Sequence, residues 1–65
     1  MENVRLSLKA SRINANLTIQ DVSDALKVTP QTIRRWENGK THPNATTFLK
    51  LCEIYQISPS QIFLP

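Results

Sequence analysis

The chain has one glycine, one cysteine, one histidine and one tryptophan among 65 residues. Each scarcity excludes a class of protein. With Gly39 as the single glycine, no glycine-rich phosphate loop can be built. With Cys52 as the single cysteine, there is neither an internal disulfide nor a multi-cysteine zinc site. One histidine, one cysteine and five carboxylates show no spacing that pairs a nucleophile with a base. An enzyme is therefore not expected, and neither is a metal or an organic cofactor. No apolar run approaches the roughly 18 residues of a membrane span. The first residues, MENVRLSLKASR, lack a long apolar stretch, so no signal peptide is expected. Sparse cysteine suits a reducing, cytoplasmic setting.

What the chain does have is ordinary globular composition, 40% hydrophobic and 20% charged, which is too apolar for disorder. The length fits one domain, residues 1–65, with a modest core. Strand signals are essentially absent, and the punctuation marks five helices. The first covers about 3–14, with Val4, Leu8 and Ile13 as its apolar face. Thr18 caps the second, 19–26, with Asp21 on its first turn and Val22, Ala25 and Leu26 inward. Thr29-Pro30 is an N-cap followed by a first-turn proline, opening the third at 30–38. Gly39 stands where a left-handed residue ends that helix. Asn44 caps the fourth, 45–55, whose Phe48, Leu51, Cys52 and Tyr55 share a face. Ser58-Pro59 opens a short fifth, 59–64. The expectation is an all-α, five-helix domain.

Charge is distributed unevenly. The acids and bases of residues 1–26 balance, as do those of residues 43–65. The whole net charge of +3 therefore falls in residues 27–42, KVTPQTIRRWENGKTH, where Lys27, Arg34, Arg35 and Lys40 oppose only Glu37. A basic patch on one element is the footprint of a polyanion binder. On the third helix Ile33 and Trp36 share one side, while Gln31, Arg34 and Arg35 share the other with Thr32 at its edge. Those exposed groups are the kind that read base edges: Arg on guanine, Gln on adenine, Thr on several bases. Asn38, Gly39 and Lys40 end the helix with backbone N–H groups and a cation suited to phosphate. The competing reading of this helix is an ordinary solvated surface. For Trp36 the inward side favours core packing over base stacking. Cys52 fits a small buried apolar residue better than a redox switch. His42 fits a solvated loop or a phosphate contact.

Residues 17–40, LTIQDVSDALKVTPQTIRRWENGK, resemble the helix-turn-helix of the Cro/XRE family of phage repressors and bacterial regulators. Leu17, the capping Thr18, Val22, Ser23, Ile33 and the closing Trp36-Glu37-Asn38-Gly39-Lys40 carry the likeness, and Ile57-Ser58-Pro59 fits the family's closing helix. The resemblance implies a compact lambda-repressor-like fold with the third helix in the major groove of double-stranded DNA. It implies base contacts from Gln31, Thr32 and Arg35, with Arg34 reaching a base or a phosphate. It implies phosphate contacts from Thr18, Gln20, Asn38, Lys40 and Thr41, and a structural ion pair between Arg12 and Glu37. It further implies a transcription regulator, a repressor by preference, acting at the nucleoid of a bacterial or phage-infected cell. The operator would be palindromic, bound by a weak homodimer formed through Ile62, Phe63 and Leu64. The alternative is a protein-interaction module, an antirepressor or antitoxin component, using the same fold. Two positions depart from the family. Ile19 replaces a glutamine that clamps phosphate, which Gln20 can partly replace. Lys27 replaces a turn glycine, so either it carries left-handed strain or the turn differs.

Overall fold

The structure is a computed structural model that describes residues 5–63. Val4 and Leu64, expected in the first helix face and the dimer segment, lie outside the described residues. Four α-helices succeed one another: α1 (Leu8–Asn14), α2 (Ile19–Leu26), α3 (Pro30–Glu37) and α4 (Ala45–Tyr55). One 3₁₀ turn, Pro59–Gln61, stands in place of the expected fifth helix. Each α-helix opens on a side chain that accepts from the N–H three residues on. Ser7 takes Ala10, Thr18 takes Asp21, Thr29 takes Thr32 and Asn44 takes Thr47. Such caps satisfy donors that the helix itself leaves orphaned.

Four expectations are corrected by the fold. The first helix begins at Leu8, because Ser7 caps it and Leu6 is extended. Leu6 N–H donates to Gln61 O at 2.7 Å, and Phe63 N–H donates to Leu6 O at 3.1 Å, a one-residue parallel bridge to Ile62. That pairing also stops the last segment: after one 3₁₀ turn the chain straightens at Ile62 instead of continuing as helix. The inward face of α1 is Leu8, Ser11 and Arg12, leaving Ile13 55% exposed. Ala25 is likewise exposed, and Ser23 takes the buried place beside Val22.

The core joins the four α-helices and the bridging Ile62: Leu8 of α1, Val22 of α2, Ile33 and Trp36 of α3, and Leu51, Cys52 and Tyr55 of α4. Ile62 therefore belongs to the core, and of the expected dimer segment only Phe63 is both described and exposed. Among the described residues no helix is long and apolar enough to cross a membrane.

Each α-helix is closed by a left-handed residue: Asn16, Lys27, Gly39 and Gln56, all with φ between 55° and 77°. In α1, α3 and α4 the next residue's N–H reaches back five positions: Leu17 to Arg12, Lys40 to Arg35 and Ile57 to Cys52. With Asn16 on Ile13, Gly39 on Trp36 and Gln56 on Glu53, these are three complete Schellman ends. In α2, Val28 returns to Ser23 while Lys27 also returns to Ser23. Lys27 thus keeps the turn that a glycine would make and adopts φ 59°, ψ 42° itself.

Candidate nucleic-acid interface

The two helices that matter are eight residues each and meet at a three-residue turn, Lys27-Val28-Thr29. Ile33 and Trp36 anchor α3 in the core at 1% and 8% exposure. The opposite side of α3 presents Gln31, Arg34 and Arg35 exposed, with Thr32 half-buried at the border. Arg34 and Arg35 stand in the last turn, where the helix dipole favours cations.

Glu37 occupies that same last turn, where a carboxylate is disfavoured, and it is turned inward onto Arg12. Arg12 Nε donates to Glu37 Oε2 at 2.7 Å, and Nη2 donates to Oε1 at 3.3 Å. Nη1 donates to the carbonyl of Leu17 at 3.0 Å. One guanidinium therefore ties the end of α1, the loop leading to α2 and the end of α3. The bond to Glu37 holds the guanidinium above its ordinary range, against the opposing pull of burial. Burial, helped by the Glu37 charge, pushes the nearby Tyr55 phenol up to about 12.

At the start of α2, Thr18 and Asp21 form a reciprocal box: Asp21 N–H donates to Thr18 Oγ1, and Thr18 N–H donates to Asp21 Oδ2 at 2.8 Å. These bonds hold the Asp21 carboxyl below its ordinary range, the backbone N–H of Thr18 contributing most. Gln20 is exposed, but its amide folds back along α2 and donates to Asp24 Oδ1 at 2.8 Å. Beyond α3, Asn38, Lys40 and Thr41 are exposed side chains at the helix end. Their backbone N–H groups are taken by helix carbonyls, Asn38 by Arg34 and both Lys40 and Thr41 by Arg35. The backbone donors expected to meet phosphate are thus occupied, and the side chains are what this segment offers.

One participant is absent from the sequence-based expectation. Thr29 is more than a cap: its hydroxyl oxygen lies 2.9 Å from that of Thr32. The signal was present, since hydroxyl residues three apart at a helix start occupy the two positions of a capping box.

A short helix pair with one polar, basic face and one core face defines a helix-turn-helix domain, and comparison agrees. The helix-turn-helix family profile matches residues 8–62. The chain belongs to this family, in its Cro/C1-type, DNA-binding branch. It is also similar to the Type II methyltransferase M1.ScrFI of Lactococcus lactis subsp. cremoris, 30% identical over 59 residues. That match takes in 86% of this chain and 15% of the relative's length. No solved structure matches at a significant level.

Proposed function

We propose that the protein is a sequence-specific regulator of transcription, a repressor by preference, that binds double-stranded DNA at the nucleoid of a bacterial or phage-infected cell. The observation that carries this is the split of α3: Ile33 and Trp36 are locked in the core while Gln31, Arg34 and Arg35 face solvent. A helix about 10–12 Å across with its side chains enters a major groove about 12 Å wide. In this reading Gln31, Thr32, Arg34 and Arg35 meet base edges, and α2 crosses the backbone above. Thr18, Asn38, Lys40 and Thr41 meet phosphates. Gln20 joins them by releasing Asp24. Arg12 and Glu37 hold the angle of α3 and do not touch bases. A module with so few contacts gains affinity by binding twice, so the operator is palindromic, with half-site centres about 34 Å apart. Phe63, 45% exposed, is the residue of that segment, among the described ones, that is free of the core to form the dimer contact.

A second reading has one observation in its favour. Leu49 is 53% exposed and borders an apolar groove with Cys52, Ile57 and Pro59, a surface that a protein-interaction module would use.

Binding-site selection on random duplexes, then salt titration, separates the two. The recovered site should be a palindrome, and affinity should fall steeply with salt as counterions are released. Arg35→Ala should lose about 1–3 kcal/mol on the selected site and relax preference at one base. Lys40→Ala should weaken all sequences alike and lower the salt slope by about 1. No binding to any duplex at low salt would end the DNA reading.

A further inference from the structure

Thr29 makes two close polar contacts at the start of α3, and atom type fixes the direction of only one. The Thr32 N–H donates to Thr29 Oγ1 at 3.2 Å. The two hydroxyl oxygens are 2.9 Å apart, and either can be the donor. A hydroxyl has one proton to give and two lone pairs. If Thr32 were the donor, Thr29 Oγ1 would accept twice and its own proton would need a third partner. If Thr29 is the donor, it accepts once and gives once, and accepting the N–H strengthens it as a donor because bonds in a chain polarise one another.

We propose that Thr29 donates to Thr32 Oγ1 and so leaves Thr32 its own proton to give toward DNA. Thr29 is then a positioning residue that decides whether Thr32 can bond guanine. The inference rests on the base-reading face proposed above and deepens it. With one lone pair filled by Thr29, Thr32 has its own proton left for the groove. Guanine presents only acceptors in the major groove at O6 and N7, whereas cytosine presents the N4 amino donor. A Thr32 that spent its proton on Thr29 could only accept and would reject guanine, so the bond from Thr29 is what admits guanine at the Thr32 position. One neutral hydrogen bond gives about three- to tenfold discrimination.

The test is binding-site selection with wild type and four variants, with affinities then measured on duplexes varied at single positions. Thr32→Val removes the hydroxyl at similar shape and identifies its position as the one whose preference flattens. Thr29→Ser keeps both the cap and the donated proton, and should keep guanine. Thr29→Asn keeps a strong cap but sets a carbonyl oxygen against the Thr32 hydroxyl. Thr32 then donates to residue 29 and turns lone pairs outward. Preference at that position should swing by about three- to tenfold toward cytosine or adenine, whose amino groups donate. Thr29→Asp, with no proton to give at neutral pH, should show the same swing, its added charge lowering affinity for all sequences alike. Positions read by Arg34 and Arg35 should not change, and a merely structural cap would move no base preference. Thermal melts confirm that each variant is folded. The proposal is overturned if Thr29→Asn and Thr29→Asp bind guanine at that position as well as wild type does, or if Thr32→Val flattens no position. A wild type that selects no sequence overturns the DNA reading itself, which is a separate outcome.

Discussion

Replacing Glu37 by alanine tests how α3 is held. The carboxylate and the Arg12 side chain are 6% and 11% exposed, so the pair lies inside the protein and not on its rim. Glu37→Ala strips Nε and Nη2 of their acceptors and leaves Nη1 on the Leu17 carbonyl. Removing one partner of a buried pair costs about 3–5 kcal/mol, because the other charge stays buried. Arg12 keeps one carbonyl, so the lower end, about 3 kcal/mol, is expected. At about 0.05–0.15 kcal/mol per residue, a chain of this length has about 3–10 kcal/mol in total. The substitution should therefore remove a third or more of the stability and lower Tm by about 12–24 °C. Urea unfolding monitored through the fluorescence of Trp36, the only tryptophan and a core residue, measures this directly. The loss should persist at about 1 M salt, since buried pairs are screened weakly. Glu37→Gln, which keeps one acceptor without the charge, should lose about half as much. Arg12→Met with Glu37→Leu should recover most of it, as apolar replacements of buried pairs often do. A loss below about 1 kcal/mol for Glu37→Ala, at unchanged m, would refute the bracing role.

Burial at Tyr55 and backbone strain at Lys27 give two more measurable outcomes. Tyr55 is the only tyrosine, and its phenol titrates at about 12 in the folded protein against about 10 unfolded. The raised value means that the folded state keeps a proton that the unfolded state loses. This contribution is fully present below pH about 10 and is lost as pH rises to about 12. Phenolate absorbance should show the late midpoint, Tyr55→Phe should flatten the alkaline loss of stability, and a midpoint near 10 in folded protein would contradict the burial. Lys27→Gly should stabilise by about 0.5–1 kcal/mol in urea unfolding. It relieves a left-handed cost of about 1–2 kcal/mol, less the greater freedom that glycine gives the unfolded chain. No gain would mean that Lys27 carries no left-handed cost.

What the sequence made legible was local chemistry. Thr18, Thr29 and Asn44 mark helix starts because the capping bond spans only three residues, and Pro30 and Gly39 mark boundaries by their own backbone limits. What it hid was nonlocal. Leu6 looks helical until its N–H and carbonyl are taken by Gln61 and Phe63, at the far end of the chain. That same pairing turns the expected last helix into a single 3₁₀ turn. Counting apolar residues places Ile13 inward. The inward positions belong instead to Ser11, whose hydroxyl donates to Ser7 O at 2.8 Å, and Arg12, whose charge is met by Glu37. A polar residue that brings its partner into the core breaks the apolar pattern without breaking the face. At the interface, the exposure of Gln31, Arg34 and Arg35 comes from helical period alone. The folding of the Gln20 amide back along α2 and the link from Thr29 to Thr32 depend on side-chain angles that no period encodes.

The helix ends show how one device serves both fold and interface. A left-handed residue closes each of the four helices, and the residue after it decides the outcome. After Asn16, Lys27 and Gln56 come Leu17, Val28 and Ile57, which pack against the core. In those places the left-handed turn drives an apolar side chain inward and fixes the next segment, and non-glycine residues bear its cost. After Gly39 comes Lys40, exposed, although its N–H makes the same return to Arg35. The same turn therefore projects a cation from the end of α3 where elsewhere it seals the core. Glycine falls at the one helix end, among the described residues, that gains no apolar contact of this kind to offset left-handed strain. Exchanging Lys40 for leucine should consequently leave the turn intact while removing the cation. Its effect on DNA affinity would then report the charge and not a change in the end of α3.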